Sequence, residues 1–106
     1  MRDGIKTLLG ELKAGLEALY GERLEGLYLY GSYARGEEDS ESDLDVLIVL
    51  DCIEHYAGEV DRTSFLISDL SLKYRVSISC VFTTQHDWQG RDMPFLANVR
   101  EEAIPA

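Results

Sequence analysis

The chain has 106 residues, with 20 acidic against 10 basic side chains and a formal charge of −10. That length favours one domain around one core, and an apolar content of 45% argues against global disorder. The acidic balance excludes a general nucleic-acid binder, because such a surface repels phosphate backbones. A nucleotide held through a divalent cation stays compatible, since the ion reverses the local sign.

Ile5, Leu8, Leu9, Leu12, Leu16, Leu19 and Tyr20 recur at helical spacing with charged residues between them. They predict an amphipathic first helix that ends near Gly21. Leu24 to Tyr30 then reads as a short strand, closed by Gly31 and Ser32. The polar segment from Tyr33 to Ser42 predicts a turn of helix and an acidic loop. Val46 to Leu50 is a continuous apolar run, the mark of a strand covered on both faces.

Ile53 to about Tyr74 is again roughly helical in period, and Val76 to Phe82 alternates with β-branched residues as a third strand. His86 to Ile104 predicts one or two short helices broken around Gly90 and Pro94. The order α-β-α-β-α-β-α implies an α/β (α+β) domain over residues 1–106, a small mixed sheet flanked by helices. Cys52 and Cys80 lie far apart beside apolar runs and read as buried thiols, without zinc-type spacing. No leader pattern opens the chain and no apolar stretch could cross a bilayer, so the expectation is a cytoplasmic protein without membrane contact.

The chemistry concentrates in "GSYARGEEDSESDLDVLIVL", residues 31–50. Asp43 and Asp45, one residue apart at the start of a strand, point to the same face with Cα atoms roughly 7 Å apart. Two carboxylates so placed repel each other unless a cation sits between them. Mg²⁺ (or Mn²⁺) is the natural occupant, because it takes hard oxygen ligands from one or two carboxylates and from substrate phosphates. Gly31 lets a phosphate approach the backbone closely, and Ser32 is placed to cap a helix starting at Tyr33. Arg35, one turn on, is positioned either to touch phosphate or to pair with the acidic loop. Gly36 allows the helix to turn off.

Gly-Ser, ten residues, then Asp-Leu-Asp before Val-Leu-Ile-Val resembles the nucleotidyltransferase superfamily. "GSYARGEEDSESDLD" is most similar to its minimal nucleotidyltransferases, small relatives of the DNA polymerase beta type. The resemblance implies that Gly31 and Ser32 hold a nucleoside triphosphate, with Arg35 a further candidate beside them, while Asp43 and Asp45 ligate Mg²⁺ and carry catalysis. It implies transfer of a nucleotidyl group, usually adenylyl from ATP, to a hydroxyl, which can be a tyrosine of a partner protein. It further implies an antitoxin role beside a helical HEPN-domain partner, and it leaves homo-oligomers open. An acceptor such as an aminoglycoside fits less well in so short a chain.

One feature departs from the pattern. Active members carry a third carboxylate on the next core strand, and in "RVSISCVFTTQHDW" that position falls at Ser79. Val76 to Gln85 contains no Asp or Glu. Serine is neutral, a weak Mg²⁺ ligand and no base near neutral pH. Three explanations compete: a degenerate site that binds without transferring, compensation by Asp39, Glu41 or Asp87, or completion by a partner. The alternative to a transferase is therefore a catalytically dead module that neutralises a partner by contact.

Overall fold

The computed structural model describes residues 3–90 and 93–106, with Asp3 described by its backbone only. Residues 91 and 92, inside the predicted C-terminal helical segment, lie outside the described residues. The elements are α1 (Asp3–Tyr20), β1 (Leu24–Tyr30), α2 (Ser32–Arg35), β2 (Leu44–Leu50), α3 (Tyr56–Tyr74), β3 (Ile78–Thr84), α4 (Gln85–Gln89), α5 (Pro94–Glu102) and β4 (Ile104–Pro105). A single 3₁₀ turn at Gly21–Arg23 joins α1 to β1.

The four strands form one mixed sheet in the order β3-β2-β1-β4. β1 runs antiparallel to β2 and to β4, whereas β2 and β3 are parallel. A parallel pair needs a long crossover, and α3 supplies it. The hydrocarbon run of β2 makes it a central strand, and its residues from Val46 to Leu50 are all fully buried. Val46, Ile48 and Leu50 pack with Leu8, Leu12 and Leu16 of α1 and Leu70 of α3. Leu47 and Val49 turn to the other face and meet Trp88, Leu96 and Val99 of α4 and α5. Each such aliphatic side chain contributes about 1.5–3 kcal/mol through removal from water.

Local chemistry explains the boundaries. Arg75 takes a left-handed conformation (φ 56°) to end α3, and its N–H bonds the Ser71 carbonyl. The Thr84 hydroxyl accepts from the Asp87 N–H at 3.1 Å and starts α4, while Pro94 opens α5. Helix α3 begins at Tyr56 rather than Ile53, and β3 runs Ile78–Thr84, two residues later than its β-branched pattern suggests. Thr83 and Thr84 extend β3 because their partners Val49 and Leu50 are still in strand. Two elements escaped the sequence: the 3₁₀ turn and the two-residue β4.

Trp88 is buried against Tyr28, with ring centroids 4.9 Å apart. His55 and His86 are exposed. Cys80 is partly buried, but Cys52 lies on the surface, against the expectation of two buried thiols. It falls just past the end of β2, where the chain leaves the core.

β3 is an edge strand. The bond from the Leu44 N–H to the Ser77 carbonyl sets the ladder so that odd-numbered residues of β3 face β2. Ile78, Cys80 and Phe82 therefore turn their backbone groups outward. The Phe82 N–H donates to the Tyr56 hydroxyl at 3.1 Å.

Candidate functional site

β1 ends at Tyr30, and Gly31 takes a positive φ of 76° to swing the chain into α2. A Cβ on Gly31 would collide with the carboxylate of Asp45, so glycine is required both by conformation and by contact. Gly31 itself is the cap residue of α2, and Ser32 is the first helical residue. The expected capping by Ser32 is thus corrected: the cap position lies one residue earlier and carries no side chain. Gly36, also left-handed at φ 72°, ends the turn, and its N–H bonds back to Ser32 and Tyr33 carbonyls.

Asp43 is exposed immediately before β2, and Asp45 is half-buried within it. Asp45 is directly paired with Tyr30 on β1 and with Ser79 on β3. Directly paired residues share a face, so all three side chains lie on the α4–α5 side of the sheet. The position predicted to lack the third carboxylate is therefore the one that flanks Asp45. Burial, then the Asp43 charge, then Glu102 push the Asp45 carboxyl above its usual range. Tyr30 meets Phe95 edge-on at 6.0 Å, and burial followed by Asp45 pushes its hydroxyl up to about 12.

Asp43 and Asp45 offer hard oxygen donors close enough for the charge of Asp43 to raise the Asp45 carboxyl. Among the described residues no third His, Cys, Asp or Glu joins them as an all-protein metal cage. That donor set fits an ion such as Mg²⁺ or Mn²⁺ that shares its ligands with a substrate phosphate. Two of the proposed compensating acids are poorly placed. Asp39 is engaged by the Glu41 N–H and the Ser42 hydroxyl. Asp87 follows the C-terminal end of β3, the far end from Ser79. Glu41 lines a surface cavity with Asp43, Arg75 and Ser77.

Arg35 pairs with the acidic loop, as one of its two predicted options has it: its Nε donates to Glu37 at 3.1 Å. Its second partner was not foreseen. The Arg35 Nη1 donates to Glu102 at 2.9 Å, and the other Glu102 oxygen accepts from the Gly31 N–H at 3.0 Å. Arg35 and then the Gly31 N–H hold the Glu102 carboxyl below its usual range. Glu102 reaches Gly31 because β4 pairs Ile104 with Leu29; two residues further along that register Glu102 falls beside Gly31. Sequence spacing held no clue to it, since the two residues are 71 positions apart.

A two-sided α/β sheet with a Gly-Ser turn facing a paired aspartate motif defines the nucleotidyltransferase class. The family model described as "Nucleotidyltransferase domain" matches residues 9–101, and the chain belongs to that family. Two proteins of Methanocaldococcus jannaschii are similar, both provisionally named protein adenylyltransferases. One is 34% identical over 93 residues, covering 87% of each chain. The other is 36% identical over 75 residues, covering 71% of this chain and 75% of its own. A crystal structure of a nucleotidyltransferase from Sulfolobus solfataricus shares the fold with a TM-score of 0.59 at 20% identity, covering 99% of this chain and 86% of that one.

Proposed function

We propose that the chain binds a Mg²⁺-nucleoside triphosphate, ATP by preference, and transfers its adenylyl group to a hydroxyl of a partner protein. The observation that carries this reading is the juxtaposition of Gly31 and Asp45, which sets a close-approach turn directly against a carboxylate. Asp43 and Asp45 would hold the ion, which when bound supplies charge neutralisation for an in-line displacement of pyrophosphate. Gly31 and Ser32 would receive the phosphates, and Arg35 would steady that turn. The names of the two archaeal relatives support a protein acceptor, and a helical HEPN-type partner, with this chain as its antitoxin, is the partner the resemblance favours.

Ser79 favours a second reading. A serine beside Asp45 leaves the acceptor hydroxyl without a neighbouring carboxylate on β3, so the chain would bind nucleotide or partner and neutralise the partner by contact. The two are separated by incubating the protein with Mg²⁺, α-labelled ATP and the product of the adjacent gene. Under the transferase reading label moves to that partner, and Asp43→Asn lowers the rate by ~100-fold or more. Nucleotide binding and partner inhibition without any label transfer would instead establish the binding module.

A further inference from the structure

We infer that Glu102 is a positioning residue for the nucleotide site, holding the turn between Gly31 and Arg35 in shape from the opposite end of the chain. This rests on the nucleotide-binding reading given above. Both carboxylate oxygens are used, and each takes a different part of the same turn. One accepts from the Gly31 N–H at 3.0 Å and the other from the Arg35 guanidinium at 2.9 Å. The first bond fixes the residue whose φ of 76° starts the turn; the second fixes its last helical residue.

A four-residue helix has little stability of its own, because nucleation fixes several dihedrals for a single hydrogen bond. The outside clamp compensates for that. Glu102 is in turn immobilised on both sides: α5 buries Leu96 and Val99 against the sheet, and β4 pairs with β1 directly after it. Glu101, its neighbour, is exposed and makes no such contact. The clamp also settles what Arg35 does. With carboxylates of Glu37 and Glu102 on its guanidinium, Arg35 acts first as a brace of the turn, and a bound metal would then carry most of the phosphate charge.

Amide hydrogen exchange and Mg²⁺-ATP titration calorimetry on the full chain test this. In Glu102→Ala the Gly31 N–H should exchange at least tenfold faster, while Tyr28, whose backbone faces β2, keeps its protection. Affinity for Mg²⁺-ATP should fall about tenfold, and Glu102→Gln, which retains an acceptor for Gly31, should recover most of both effects. Glu101→Ala should change neither. Unchanged exchange at Gly31 overturns the clamp, and so does protection lost throughout β1 and β2, which would mark a general structural role. Faster exchange at Gly31 with undiminished Mg²⁺-ATP affinity overturns the positioning role. A wild-type chain that takes up no Mg²⁺-ATP, yet shows Glu102-dependent protection of Gly31, removes the nucleotide reading and leaves the clamp standing.

Discussion

Both ends of β2 carry aspartate, two at the start and one just past the finish, and the protein treats the ends in opposite ways. Beyond the C-terminal end, Asp51 accepts from the Cys52 N–H at 2.7 Å and from Arg23 at 3.1 Å. Those bonds, the backbone one foremost, hold its carboxyl below the usual range. Nearby, buried Glu59 accepts from the Tyr20 hydroxyl at 2.7 Å and is flanked by Arg62 at 3.2 Å and Arg23 at 3.6 Å. Asp51, Glu59, Arg23 and Arg62 are all paired there. Near the N-terminal end, Asp45 has no ion-pair partner among the described residues, and its carboxyl is raised. Arg35, whose charge reaches Asp45 and partly offsets that rise, makes its ion pairs with Glu37 and Glu102. Charge that is matched serves the fold; charge left unmatched is where a ligand is expected.

The largest effect should come from completing the unmatched end. Ser79→Asp supplies the carboxylate missing beside Asp45, and any label transfer to the partner should rise by on the order of 10–100-fold. No gain in rate would show that the lost acid is not what limits the site. At the matched end, Glu59→Ala strands Arg62 and the Tyr20 hydroxyl and should cost about 3 kcal/mol, read by urea unfolding at pH 7. A loss below ~1 kcal/mol would mean that the cluster is solvated and the contrast between the ends is false.

Stability against pH sharpens the comparison further. A carboxyl raised by folding binds its proton more tightly in the native state, so its ionisation opposes folding as pH rises through its native pKa. Asp45→Asn should therefore raise Tm by a few degrees at pH 7 in the absence of divalent ions. The gain should fade as pH falls below the carboxylate range. Asp51 runs the other way: its contribution is present above the ordinary carboxylate range and is lost on acidification. Asp51→Asn should lower Tm at pH 7 and be neutral in acid. The smallest effect is on thiol chemistry. Burial pushes the Cys80 thiol up to about 12, so at pH 8 a maleimide should label exposed Cys52 at least tenfold faster.

Much of the fold was legible because hydrophobic period decides it. The alternation of buried Leu27 and Leu29, the unbroken run of β2 and the spaced leucines of α1 each mark one burial geometry. The Gly-Ser turn and the two aspartates were legible too, since their spacing is a local property of strand, turn and strand. The register between β2 and β3 then places Ser79 at the predicted position. Glu102 was not legible, because its role depends on a two-residue strand that has no periodicity of its own. Cys52 was misread for a similar reason: an apolar run shows that a strand is buried, and not where its last buried residue falls.

The outward rungs of β3 have a consequence for how this molecule behaves in a crowd. No charged residue interrupts Val76 to Gln85, so the sheet margin lacks the lysine or proline that commonly keeps foreign strands away. Tyr56 fills part of that office by occupying the Phe82 N–H with its hydroxyl and covering Phe82 with its ring at 5.7 Å. The rest falls to long-range repulsion from a net charge of −10, a defence that salt weakens and acid abolishes. Colloidal behaviour is thus governed by a single tyrosine and by the ionic medium.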